Sequence, residues 1–177
     1  MQTLFLFLGT FVLYAWDPAC LNGDWILDDK GTITMNPVVK GQVPWSEVWH
    51  RDYWGHDQLQ APSSHKSWRP ITTASYRINY EWGGDPSFWF HVVDRLLHAL
   101  VAAFALPVAN LCLGLTTAGR SRRSPREDRP EAWENQWLGF VVALLFATHP
   151  IHVESVSNTT GRAEVLCGLF YMLGFLA

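Results

Sequence analysis

The chain has 177 residues, 49% hydrophobic and 16% charged, with a formal net charge of -3 at pH 7. That balance offers no broad basic surface for nucleic acid, and Cys20, Cys112 and Cys167 show neither metal-ligand spacing nor a disulfide framework. The mean hydropathy of +0.02 averages nearly uncharged stretches with a polar loop that carries much of the charge, so class is decided segment by segment.

The uncharged run Leu4–Trp16 is about thirteen residues long, short of the roughly twenty that span a bilayer. MQT is not a basic leader and YAWDPAC holds no small-residue cleavage site, so 1–16 predicts a truncated or tilted first transmembrane helix. Residues 17–87 are polar and rich in Gly, Pro, Asn and Trp, with no run able to cross a membrane. Within them Trp45, Val48, Trp49 and Asp52 predict a short surface-lying helix over Pro44–Tyr53.

Residues 88–115 form the clearest spanning segment and tolerate Pro107, as membrane helices do. The loop 116–136 holds Arg120, Arg122, Arg123, Arg126 and Arg129, an arginine density that predicts a cytoplasmic face and places 17–87 on the luminal or extracellular side. A third span is predicted over 137–151, a second luminal loop over 152–164, and a truncated fourth span over 165–177, which predicts a piece of a longer protein. The fold class is thus an all-α multi-pass membrane protein. Trp16, Trp82, Trp89, Trp133 and Trp137 read as interfacial belt residues.

Three polar clusters fall on the luminal side of this topology. The first is the pair Asp28 and Asp29 in GDWILDDKGTI, where a carboxylate can serve as a general base on a hydroxyl, bind a metal, or cap a turn. The second is His91, Asp94, Arg95 and His98, whose offsets of 3, 4 and 7 place them on one helical face. Charges inside a membrane cost about 2.5 to 3.5 kcal/mol each, so that face turns toward protein or water, or orients the helix at the interface.

The third cluster, HPIHVESVSNTTGRAE, supplies His149, His152, Glu154, Arg162 and Glu164. An arginine at a membrane boundary suits a lipid-linked phosphate, because its guanidinium donates to two oxygens at once. Zinc is disfavoured, since the HExxH spacing is absent. Asn158, Thr159 and Thr160 form a glycosylation sequon. In SSHKSWRP, Lys66 and Arg69 beside His65 and Trp68 suit a sugar phosphate, anionic headgroups, or plain solvent.

GDWILDD, SHKSWRPITTASYRINY, HVVDRLLHA, LLFATHPIHVESV and GRAEVL, in this order and across most of the chain, resemble the transmembrane and tetratricopeptide-repeat containing (TMTC) proteins, which are protein O-mannosyltransferases. The resemblance implies a GT-C glycosyltransferase module of the endoplasmic reticulum membrane, incomplete here, with a luminal active site and a long luminal loop. It implies dolichyl phosphate mannose as lipid donor and a serine or threonine hydroxyl of a secretory or membrane protein, typically a cadherin-type domain, as acceptor. Asp28 or Asp29 would be the base in an inverting displacement. Arg162, His149 and His152, and more weakly Lys66 and Arg69, would hold the donor phosphate. His91, Asp94, Arg95, His98, Glu154 and Glu164 would form a supporting polar face. The resemblance implies no cofactor and leaves a divalent metal open. SNTT and the Asp94–Arg95 pair are more polar than the resemblance implies. A non-catalytic receptor or transporter fragment with a tryptophan-rich ectodomain is the competing reading, and a lipid-phosphate hydrolase a third.

Overall fold

In a computed structural model, the structure describes residues 1–84, 86–121 and 132–177, and side chains outside 115–135. The arginines of the loop expected over 116–136, and Trp133, lie outside the described side chains. Among the described residues the chain is helical, and its extended pairing is limited to an isolated bridge between Arg51 and Gln58.

Helix α1 spans Gln2–Ala15 and is followed by the single turn α2, Pro18–Leu21, where Asp17 accepts from the Ala19 amide and Pro18 needs no amide partner. A third helix, α3, covers Pro70–Gly83, and α4 runs over Ser87–Ser121. The remaining helices are α5 (Ala132–Thr148), α6 (His152–Ser157) and α7 (Arg162–Leu176). Ser87–Gly114 is, among the described residues, the one helix long and apolar enough to cross a membrane; Gln2–Ala15 and Gln136–Thr148 are shorter apolar helices.

Helix α4 is the spine, with α1, α5 and α7 packed on it. Leu6, Ala105, Leu106 and Ala143 form the core between them, joined by Phe140, Phe146 and Met172. Much of that contact is made by alanine, including fully buried Ala99, Ala102, Ala143 and Ala147, because small side chains let helix backbones approach closely. At Gly139 an added Cβ would lie 1.9 Å from the Asn110 Oδ1, so the α4–α5 crossing seats the Asn110 side chain against glycine. The outward faces carry Leu4, Phe5, Leu8, Leu145 and Phe170, all exposed.

The segment 17–87 is a packed unit rather than a solvated loop. Ile33, Val39, Tyr53, Tyr76 and Phe90 make its core, with Trp25, Trp54 and Tyr80 against it. Buried Asn36 replaces regular structure in the middle: its amide donates to the Thr32 and Tyr53 carbonyls and its oxygen accepts from the Val38 and Val39 amides. Gly55, at φ 74°, sits where a Cβ would fall 1.9 Å from Asn36 Oδ1. Of the surface helix expected over Pro44–Tyr53, the structure has a 3₁₀ turn over Trp45–Trp49. Helix α3 was not expected. Its buried residues are Thr72, Thr73, Tyr76, Arg77 and Asn79, a polar face that hides the amphipathic pattern, though Pro70 at its first turn and the terminal Gly84 at φ 70° are start and stop signals.

Candidate functional site

The C-terminal ends of α1 and α5 and the N-terminal ends of α4 and α7 meet at one end of the bundle. Arg95 near the start of α4 donates from Nε to the Tyr14 carbonyl at the end of α1, His98 of α4 meets the Ala147 carbonyl at the end of α5, and Arg162 at the start of α7 reaches Asp94. Because α1 and α5 run against α4 and α7 along it, segments far apart in sequence present their polar residues at one level.

The two aspartates differ. Asp28 is exposed with a free carboxylate, while its backbone carbonyl accepts from the Thr32 amide at 2.9 Å and hydroxyl at 2.8 Å. Asp29 is fully buried; its Oδ1 accepts from the Thr160 amide at 2.8 Å and hydroxyl at 2.6 Å, and its Oδ2 from the Ile26 amide at 3.4 Å. An accessible carboxylate beside a sequestered one is an arrangement in which only the first can meet a substrate hydroxyl without prior rearrangement.

Arg162, expected on the donor phosphate, is engaged by protein partners in the fold. Its side chain is 0% exposed in a 2.5 Å ion pair with Asp94, also 0% exposed. Its remaining donors go to Asn79 Oδ1 and the Phe90 carbonyl, and more distantly to Ser75 Oγ. The guanidinium lies over the Tyr76 and Phe90 rings at 4.8 and 5.4 Å. With its fork directed to protein partners it has no donor face open to a phosphate, and it instead ties α7 to α3 and α4. A buried guanidinium without such partners would be prohibitively costly.

Tyr76 extends this network: its hydroxyl donates to the Thr159 carbonyl at 2.8 Å and pairs with the Tyr53 hydroxyl at 3.0 Å. Burial pushes both phenols above their usual range, Tyr76 well above it, so both stay protonated. Thr160, Tyr76, Asn79 and Ser75 were not singled out as site residues from sequence. They are ordinary polar residues whose role comes from partners far along the chain.

The histidines form a second group. His98 packs edge-on to Tyr14 at 4.7 Å and against His152 at 5.1 Å, and His152 touches Phe146 at 4.6 Å and His149 at 6.2 Å. Burial, then the neighbouring His149, pulls His152 below the usual histidine value, so at neutral pH it offers an uncharged N–H rather than a cation. A cleft of about 360 Å³ opens beside His98 and His152 toward Glu164 and Tyr171. On the other side of α7 a second cleft, about 530 Å³, is lined by Trp49, Trp68, Arg69, Glu164 and Phe170.

Arg69, whose guanidinium also covers the Tyr53 ring at 4.8 Å, is thus the cation at that cleft. Lys66 is turned aside: its Nζ donates to the Leu59 and Ala61 carbonyls. His91 faces the Gly23 carbonyl, Arg95 holds the Tyr14, His91 and Cys20 carbonyls, and Glu154 and Glu164 are exposed. The expected supporting face is therefore divided, with His91, Asp94, Arg95 and His98 turned into protein and the glutamates turned out. Among the described residues no three His, Cys, Asp or Glu side chains converge as metal ligands.

No established family profile and no solved structure matches the chain. Curated relatives do. The chain is 38% identical over 157 residues, 88% of its length and 20% of the relative, to the human protein O-mannosyl-transferase TMTC4. It is 33% identical over 156 residues to human protein O-mannosyl-transferase TMTC2, covering 88% of the chain and 16% of that protein. It is 35% identical over 159 residues to mouse protein O-mannosyl-transferase TMTC1, covering 89% and 15%. The chain spans about a fifth or less of the length of these relatives. Over the segment it spans, the chain is similar to the TMTC protein O-mannosyl-transferases.

Proposed function

We propose that the whole protein is a multi-pass GT-C glycosyltransferase of the endoplasmic reticulum membrane. It moves mannose from dolichyl phosphate mannose to serine and threonine hydroxyls of secretory-pathway proteins, cadherin-type domains among them, at the luminal face. The observation that carries this reading is the exposed Asp28 carboxylate beside the sequestered Asp29, on a chain whose relatives bear the name protein O-mannosyl-transferase.

The acceptor hydroxyl oxygen bonds to the mannose anomeric carbon as Asp28 takes the hydroxyl proton. The bond from that carbon to the phosphate oxygen breaks, its electron pair leaves with dolichyl phosphate, and configuration inverts. Charge grows on the phosphate in the transition state, where fixed donors are most effective. Arg69 at the larger cleft supplies the charged donor, while His149 and His152 lie across α7 from it. Arg162 acts indirectly, by holding the turn that carries Thr160.

Asp28→Asn in the whole protein is the test. Transfer of mannose to an acceptor domain in microsomes is expected to fall about 10²- to 10⁴-fold, the ordinary worth of a general base, with donor binding retained. Unchanged transfer overturns the base assignment. Release of free mannose without acceptor overturns protein mannosylation in favour of hydrolysis.

A further inference from the structure

Asp29 and Thr160 are 131 positions apart, yet they make the tightest polar contact between the first aspartate segment and the turn that opens α7. That turn is immobilised on every side. Asn158 Oδ1 accepts from the Thr160 amide, the Thr159 carbonyl accepts from Tyr76, and Arg162 is paired with Asp94. At Gly161 an added Cβ would lie 2.6 Å from the Ser155 backbone. The acceptor side is equally fixed. The Asp28 carbonyl is held by Thr32, and Asp29 has no exposed surface.

We propose that Asp29 is a positioning residue and Thr160 its latch: by anchoring Asp29 to the rigid 158–162 turn, Thr160 fixes the backbone of Asp28 and aims its free carboxylate. This assigns different tasks to chemically identical neighbours. Asp28 reacts because nothing in the fold occupies it, and Asp29 cannot easily react because its oxygens already accept from Thr160 and Ile26. The inference rests on the mannosyltransferase reading above, since aim matters only if Asp28 has a hydroxyl to meet.

The latch needs acceptor oxygens at Asp29, not charge, and a hydroxyl at Thr160. In the whole protein, assayed with dolichyl phosphate mannose and an acceptor domain, Asp29→Asn keeps an acceptor for Thr160 and is expected to hold kcat within about fivefold. Thr160→Val keeps the amide donor but loses the hydroxyl, and kcat falls about tenfold with the donor KM unchanged, because misaim of a reacting group acts on the chemical step. Thr160→Ser restores kcat to within about twofold. Thermal unfolding of each variant normalises kcat to folded enzyme, so a purely structural role would leave the corrected kcat at the wild-type value, and that result overturns the latch. Asp29→Asn as inactive as Asp28→Asn also overturns it, by making Asp29 a base. If Asp28→Asn itself keeps full activity, the mannosyltransferase base assignment fails instead, and the latch fails with it.

Discussion

At the residue scale, the Asp94–Arg162 pair shows how far a charged side chain's surroundings decide its task. In sequence Arg162 is a cation at a membrane boundary; in the fold it is a fully buried member of an ion pair that also engages Asn79 and Phe90. Such pairs contribute little net stability against an apolar substitute, but breaking one strands a charge. Arg162→Leu is accordingly expected to cost about 3 to 5 kcal/mol, read as a lowered melting temperature in detergent. Asp94→Leu combined with Arg162→Met removes both charges and is expected to recover more than half of that loss. A cost confined to the tenths expected of an exposed pair would show that the pair is solvated.

At the element scale, the bundle depends on close approach at glycine and alanine, and the site depends on one short turn. Helices α6 and α7 are joined by the 3₁₀ turn Thr159–Gly161, which is capped by Asn158 and packs Gly161 against Ser155. The obstructing atoms are backbone Cα and carbonyl of Ser155 rather than a flexible side chain. Gly161→Ala therefore has to shift the turn itself, and overpacking of this kind costs about 1 to 3 kcal/mol. The expected result is a lowered melting temperature together with slower mannose transfer, since Thr160 moves with the turn. Gly9→Ala is the control, because nothing lies within 4 Å of a Cβ there; it is expected to leave transfer unchanged and to hold or raise the melting temperature, since alanine favours a helix interior over glycine by up to about 1 kcal/mol.

Helix α3 belongs to the same scale. It buries threonine, tyrosine, arginine and asparagine, so no apolar stripe marks it in the sequence, and its face becomes meaningful only against Thr159, Arg162 and Val43, its hydrogen-bond partners. The short 3₁₀ turn Trp45–Trp49 was visible as a helical spacing of Trp45, Val48 and Trp49 but not as 3₁₀. The difference lies in the partners, which here include a Trp68 indole donating to the Trp49 carbonyl.

At the scale of the whole molecule, the proposed topology makes a separate prediction. Protease added to intact microsomes is expected to cleave between Arg120 and Arg129 and to spare Trp45–Trp68; the reverse pattern would put the Asp28 end of the bundle in the cytoplasm. Exposed Trp16, Trp82, Trp89 and Trp137 suit the interfacial layer that indoles prefer.

The sequence by itself determined the helical class, the long apolar helix beginning near Ser87, and likeness to a family through motifs that survive reading in one dimension. These rest on local composition and order, which folding does not alter. It could not show that Asp28 is exposed while Asp29 is buried, or that Arg162 is paired with Asp94. Those distinctions depend on burial and on partners 68 and 131 positions away, which exist only once α1, α4, α5 and α7 bring their ends together.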